Sequence, residues 1–326
     1  MSSMKEQFWA ARHPPKNPSH LSFNNKVILV SGANDGLGFQ AALKYAQLGA
    51  STLILGVRSK EKGEAAKVSI IQQTQCSNIT VMTVDLSTFA SVKDFARRVN
   101  EEVPQLHVVL LCAGIMTSKY EKSPDGFEMA LQVNVLSTAL MVLLLLPKLQ
   151  KTVCCDGSIP HLCIVNSLAT QEIKPELIPT DNMLIQRLND ASKFDFYAHY
   201  YLVKLAARFF VQELATQKCA DPDTMVINCC CPGMCRTKLL REFPLVLRLV
   251  MAPYRYVCGR SAEEGSRTLV SATALGSESN GKLWLNDELP PPGPFMASQC
   301  AADLSPATFQ EILTILRQHC DLEGML

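Results

Sequence analysis

The sequence predicts an α/β fold, a doubly wound parallel sheet with helices on both faces. Two observations carry that reading. Short apolar runs recur from Lys26 onward: "KVILVS", "STLILGV", "ITVMTVD", "LHVVLLCA", "PHLCIVNS" and "TMVINCCCP". They are near-continuous rather than alternating, as strands buried on both faces must be. Between them lie stretches of helical character: "GFQAALKYAQLG", "KEKGEAAKVSIIQQ", "SVKDFARRVNEEV" and "GFEMALQVNVLSTALMVLLLLPKLQ". Strand–helix alternation of this kind implies right-handed crossovers and a single wound sheet.

Bulk composition bounds the rest. The chain has 326 residues, is 48% hydrophobic and carries a net charge of +1. That supplies a large core and gives no basic surface for nucleic acid. Thirteen cysteines, several adjacent, cannot all form bridges. Most lie in apolar runs as small hydrophobes, which indicates a reducing, cytoplasmic compartment. A zinc site at Cys229, Cys231 and Cys235 lacks the paired spacing such sites need. The longest apolar stretch, Val133 to Pro147, is too short to span a bilayer and reads as a buried helix. The expected organisation is an N-terminal extension (1–25), a catalytic domain (26–290) and a C-terminal extension (291–326).

Directly after the first apolar run stands "SGANDGLGF", with Gly32, Gly36 and Gly38. A helix opening near Gly36 would aim its free N–H groups and positive dipole end at a phosphate. Glycine is needed where a side chain would block the pyrophosphate or the packing of helix on strand. Strand, glycine loop and helix in this order make the fold Rossmann-type and the ligand a dinucleotide. After the second strand stands Arg58, followed by Lys60 and Lys62. An arginine here suits a 2′-phosphate, so NADP(H) is the expected cofactor. Asp35 is a mild objection, since a carboxylate near phosphates is unfavourable. It has an alternative use as a helix cap.

The run Asp195 to Thr216 lacks Gly and Pro and reads as a helix containing "YYLVK". Tyr200 lies four residues before Lys204 and shares its face; Tyr201, three before, is a poorer partner, and Tyr197 lies nearly two turns away. A neighbouring ammonium lowers a phenol's pKa and would fit Tyr200 for proton transfer. Taken alone, the spacing favours an aromatic packing helix with an outward lysine, because Tyr-x-x-x-Lys arises often by chance.

Taken together, the glycine loop, Arg58, "VDLS", "CAG", "VNV", "VNS", "YYLVK" and "PGMCRT" resemble, in that order, the short-chain dehydrogenase/reductase family over roughly Lys26 to Leu275. The chain is most similar to its retinol-dehydrogenase-like branch and related fungal reductases. The resemblance implies cofactor contacts at Gly32, Asn34, Gly36, Leu37, Gly38, Arg58, Asp85, Ala113, Gly114, Asn134, Tyr200, Lys204, Pro232, Gly233 and Thr237. It implies a catalytic set of Asn134, Ser167, Tyr200 and Lys204. Tyr200 would be the acid in reduction and the base in oxidation, with Lys204 lowering its pKa. Ser167 would bond the substrate oxygen, and Asn134 would hold a proton-relay water. Cys112 stands where the family usually has Asn, which questions a hydrogen bond that steadies the central strand.

Two segments suit a substrate wall: the long connection from Ser167 to Tyr200, and Lys238 to Gly259, apolar and interrupted by Pro244 and Pro253. The second reads as a mobile lid over a hydrophobic small molecule; it also suits peripheral contact with a membrane, though it is too short to cross one. Near the end, Ser305 as N-cap and Pro306 at the first helical position announce a helix with a stripe of Phe309, Ile312, Leu313 and Leu316. The resemblance makes a homodimer an expectation. The expected function is reversible reduction of a ketone or aldehyde to an alcohol, in the manner of secondary-metabolite enzymes. The rivals are an NAD-dependent alcohol oxidant of the same fold and a non-catalytic dinucleotide-binding sensor or scaffold.

Overall fold

In the computed structural model, residues 4–156, 158–218 and 224–322 are described. Residues 1–3 and 323–326 of the expected extensions, and Cys219, lie outside them. A helix α1 (Met4–Arg12) precedes the sheet. Seven parallel strands follow: β1 (Val27–Ser31), β2 (Thr52–Val57), β3 (Ile79–Thr83), β4 (Val108–Leu111), β5 (His161–Val165), β6 (Val226–Cys231) and β7 (Leu283–Leu285), in the order β3-β2-β1-β4-β5-β6-β7. The order reverses between β1 and β4, which opens a crevice at their carboxyl ends. The inner strands are buried almost throughout, as their continuous apolar sequence requires. The edge strand β3 instead buries Ile79 and Met82 and exposes Thr80 and Thr83. β7, three residues long, falls outside the sequence expectation.

Helices cover both faces. α2 (Gly36–Gln47) and α3 (Lys60–Gln73) follow β1 and β2, and α4 (Phe89–Glu102) follows β3. The next helix was expected to start near Gly126. It begins at Met129 as α5 (Met129–Leu131), loosens into a π-helical turn at Gln132–Leu136 and continues as α6 (Ser137–Asp156) straight through Pro147. This apolar helix has the length and hydropathy of a membrane span, yet its apolar window is 89% buried inside the protein. It packs with α4 and the long α8 (Phe196–Lys218) on one face, in a core that includes Phe89, Phe95, Leu140, Phe209 and Phe210. Each such side chain contributes about 1.5–3 kcal/mol by leaving water.

Between β5 and α8 the chain forms short 3-10 turns and one small helix, α7 (Leu184–Leu188), rather than an open loop. After β6 come a 3-10 turn (Lys238–Leu240), α9 (Leu245–Cys258) and α10 (Ala262–Ala272). The last helix corrects an expectation. α11 spans Gln299–Arg317, capped by Ser298, so Ser305 is no cap and Pro306 lies inside the helix. Ser305 Oγ instead donates to Glu213 Oε1 of α8 at 2.6 Å. The Ser-Pro pair imitates a helix start, but Ala301 and Leu304 carry the apolar stripe one turn further back. Phe309 stacks on Phe210, seating α11 on α8. Ten described cysteines are free thiols, and no metal-binding cluster occurs among the described residues.

Candidate active site

The glycine loop turns directly out of β1. Gly32 adopts φ +70°, and a Cβ on Gly38 would stand 2.3 Å from the Gly32 carbonyl oxygen. The first position needs a left-handed backbone and the second the closest possible approach of helix to strand. α2 therefore starts with its N-terminus at the switch point, and Asn34 and Leu37 flank the turn. Asp35 is the helix cap: its Oδ1 accepts from the Gly36 N–H at 2.8 Å. Its Oδ2 pairs with Lys238 at 2.5 Å. The hydrogen bond from Lys238, aided by Gly36 and the charge of Lys62, holds this carboxyl below its usual range. The carboxylate is thereby engaged and the loop remains suited to an anion.

A cleft of about 510 Å³ opens here between α2 and α9. Gly36, Arg236, Thr237, Lys238 and Arg255 line it with Asp35. A Cβ on Gly36 would meet the Thr237 methyl at 3.8 Å, so Thr237 faces the helix N-terminus. Arg58 is exposed at the carboxyl end of β2, and Ser59 caps α3 through the Lys62 N–H. Asp85 follows β3, where its Oδ1 accepts from the Ser87 N–H. A glycine cradle, a helix N-terminus and a cationic cleft fit a dinucleotide's pyrophosphate.

Cys112, Ala113 and Gly114 follow β4. The hydrogen bond placed in question by Cys112 is supplied from β1: Ser31 Oγ accepts from both the Cys112 and Ala113 N–H groups, at 3.1 and 3.2 Å. Burial pushes the Cys112 thiol up to about 12. Beside it, the buried Asn134 sits in the π-helical turn. Its Nδ2 donates to the carbonyls of Ile115 and Ala130, and its Oδ1 accepts from the Ile115 N–H. Both amide hydrogens are thus spent on clamping the chain after β4 to the helix. A Cβ on Gly114 would lie 2.7 Å from Asn134 Oδ1 and 3.9 Å from Lys204 Nζ, so these three residues are packed together.

Ser167 ends β5. Its Oγ accepts from the Ala169 N–H at 3.2 Å, which leaves the hydroxyl proton free to donate. The Ser167 side chain acts on the Tyr200 phenol, opposing the effect of burial on it. Lys204 donates to the Val165 carbonyl at 3.1 Å, and burial lowers its ammonium's pKa. One expectation changes. Tyr200 is not held low by Lys204: burial pushes the phenol up to about 12, with the Ser167 side chain opposing. Sequence spacing places the two side chains on one face, but in this arrangement the ammonium points to the β5 carbonyl instead. Tyr201 is half-buried in the core, whereas Tyr197 is exposed and packs on Phe196.

Several supporting residues escaped sequence reasoning. Asn166 Oδ1 accepts from the Ser167 N–H while its Nδ2 donates to the Lys204 carbonyl, tying serine to lysine. Cys231 Sγ accepts from the Leu168 and Gly233 N–H groups, tying the serine turn to the Pro232–Gly233 loop. The buried Arg208 donates to Thr170 Oγ1, which donates to the Ser167 carbonyl. Glu128 Oε2, fully buried, bonds His199 Nε2 at 2.7 Å and accepts from the Leu131 N–H. Arg260 donates to the carbonyls of Ala10, His13 and Pro232. Asn166 stands in the "VNS" motif but its bonds could not be read from it; for Arg208, Glu128 and Arg260 only the oddity of charged residues in apolar company could have signalled them.

Comparison with known proteins agrees with this geometry. The family model described as short chain dehydrogenase matches residues 26–175. A short-chain dehydrogenase/reductase of Aspergillus flavipes is 39% identical over the whole of this chain and 96% of its own. Among solved structures, an uncharacterized protein from Mycobacterium paratuberculosis superposes with TM-score 0.65 at 24% identity, over 94% of this chain and 97% of that one. RhlG of Pseudomonas aeruginosa, in its NADP active-site complex, superposes with TM-score 0.61 at 20% identity, over 82% and 96%. With a glycine loop, serine, tyrosine and lysine gathered at one crevice and a relative of this closeness along its full length, the chain belongs to the short-chain dehydrogenase/reductase family, an oxidoreductase acting on CH–OH or C=O groups with a nicotinamide dinucleotide.

Proposed function

We propose that this enzyme uses NADP(H) to interconvert a ketone or aldehyde with an alcohol on a hydrophobic small molecule. The observation that carries the proposal is the placement of Ser167 just after β5, its turn tied by Asn166 to the helix of Tyr200 and buried Lys204, with Lys204 held to the Val165 carbonyl and Arg58 rather than a carboxylate after β2. When bound, the nicotinamide supplies or accepts the hydride. In reduction Tyr200 gives its proton to the carbonyl oxygen. A phenol raised by burial holds that proton throughout neutral pH, which suits an acid. Ser167, its acceptor side taken by Ala169, donates to the same oxygen and stabilises the developing negative charge. The buried Lys204 ammonium lies one helical turn away to compensate the phenolate that proton transfer leaves. Asn134 keeps Ile115 and Gly114 against Lys204, and the relay water of the resemblance belongs beside it.

Arg58, with Lys60 and Lys62 behind it, suits the 2′-phosphate. The resemblance to fungal short-chain dehydrogenase/reductases is in keeping with a hydrophobic substrate and a place in secondary metabolism. The rival NAD-dependent reading rested partly on Asp35, and that carboxylate serves the helix cap and Lys238.

The test has two arms. Tyr200→Phe is expected to cost roughly a thousandfold or more in carbonyl reduction, with NADPH affinity retained. Near-normal turnover would sink the assignment. NADPH is expected to bind at least tenfold more tightly than NADH, and Arg58→Asp to erase the gap; a preference for NADH in the unmodified protein would transfer the reading to alcohol oxidation.

A further inference from the structure

The helix α9 presents a face that nothing in the fold uses. At 100° per residue, Leu245, Val246, Leu249, Val250, Pro253, Tyr256 and Val257 fall within about 140° of arc. All seven are exposed, and Leu245, Val246, Leu249, Val250 and Tyr256 are each between 62% and 74% accessible. No charged residue interrupts the arc. The opposite side of the helix, with Leu247, Met251, Tyr254 and buried Cys258, turns toward the protein. There the Tyr254 hydroxyl bonds Gln7 of α1. α1, packed beside α9, adds exposed Trp9 and Phe8. Water-facing apolar side chains at this density are rare on a solitary soluble surface and mark a docking face.

Charge indicates what docks. From Arg236 to Cys258 the chain holds five basic residues and one acidic one; from Met4 to Lys16 it holds three basic and one acidic. The whole chain is only +1, so these two segments are a basic island on an otherwise acidic protein. Two of the cations sit on the patch's own aromatics: Arg12 lies 3.5 Å from the Phe8 ring centre and Arg236 5.6 Å from that of Tyr256. Exposed Arg248 flanks the apolar arc. Pairing this face with a second copy would bring like-charged rims together, which disfavours a dimer through it.

We infer that α9 and α1 form an interfacial platform that seats the protein on an anionic lipid bilayer. The helix lies in the plane of the interface, with its aliphatic arc in the acyl boundary and its arginines at the headgroups. α9 also lines the cofactor cleft, so the docked protein holds that cleft at the lipid boundary, where an apolar substrate partitions. The inference does not depend on which cofactor or substrate is used.

The full chain should be co-sedimented with unilamellar vesicles of phosphatidylcholine, or of phosphatidylcholine mixed with phosphatidylserine. Binding is expected to rise steeply with phosphatidylserine and to fall with salt. Val250→Glu and Leu249→Glu should each weaken it roughly tenfold or more. Both sites are exposed, so an unchanged thermal midpoint and NADPH affinity will show that folding is intact. Arg248→Glu should weaken binding to the mixed vesicles alone. Equal retention on both vesicle types, or none above a vesicle-free control, overturns the inference. So does a self-associated form of the unmodified protein that Val250→Glu dissociates, since the face would then belong to a second copy.

Discussion

The two loops expected to contact the cofactor are built by different means. The loop around Gly32, Gly36 and Gly38 is a single turn between β1 and α2, and its requirements are met by residues within a few positions of one another. The loop around Pro232 and Gly233 is held from far away. Arg260, fully buried, clasps the Pro232 carbonyl with one nitrogen and the Ala10 and His13 carbonyls with others, across 250 residues of sequence. A Cβ on Gly233 would lie 3.0 Å from that guanidinium, so the loop is moulded onto it. The first loop is local chain geometry; the second is tertiary structure, and the N-terminal segment is part of it.

The contrast is sharpest where each loop is broken at its tightest point. Gly38→Ala puts a methyl into the Gly32 carbonyl, which backbone cannot yield cheaply. The expected result is loss of dinucleotide affinity by about a hundredfold or more, read by cofactor fluorescence, with most of the fold surviving. Arg260→Leu should do the reverse. It removes the donor that carbonyls of two separate segments share, at a cost of roughly 2–4 kcal/mol in urea unfolding. NADPH affinity should fall only severalfold, and protease should find the chain before residue 16. If Arg260→Leu matched Gly38→Ala in affinity yet left stability unchanged, the clasp would be a cofactor contact and the contrast would fail.

A smaller effect is expected where the helices of Asn134 and Tyr200 meet. Glu128 caps the helix that carries Asn134 and bonds His199, the residue before Tyr200. Glu128→Gln keeps the shape but weakens both bonds. About 1–3 kcal/mol of stability should be lost, and kcat should fall with little change in KM. A fall in stability with kcat untouched would restrict the pair to a structural role.

The same division decides what could be read from the sequence. The strands, the glycine loop and the Tyr200/Lys204 helix are legible because each rests on chain-local physics: apolar runs, positive φ and helical spacing. The serine turn was legible only by resemblance. Its supports Asn166, Cys231 and Arg208 were not, since each bond joins residues that only the finished fold brings together. Local signals can also mislead. Ser305-Pro306 has the chemistry of a helix start, yet Ser298 caps the helix and burial of Leu304 carries it through the proline. In the same way Tyr200 and Lys204 share a helix face, yet burial governs the phenol and the ammonium donates to the Val165 carbonyl.

That last point can be tested with the smallest signal of all. Spacing alone would have the Lys204 ammonium depress the Tyr200 phenol toward neutrality. The structure instead sends the ammonium to the Val165 carbonyl and raises the phenol by burial to about 12. The sign is therefore opposite to the expectation: the folded protein favours the neutral phenol, and ionisation comes later than in an open chain. In cofactor-free protein, tyrosinate absorbance between about pH 8 and 10 should be the same for the unmodified chain and Tyr200→Phe. Tyr201 is also raised by burial and should not obscure the comparison. Loss of an early-titrating phenol in the variant would mean that Lys204 already reaches Tyr200. An unchanged curve would leave the lowering of this phenol, if turnover requires it, to the arrangement reached when the cleft is filled. The Tyr200/Lys204 pair would then resemble the Arg260 loop, set by contacts between segments rather than by helical spacing.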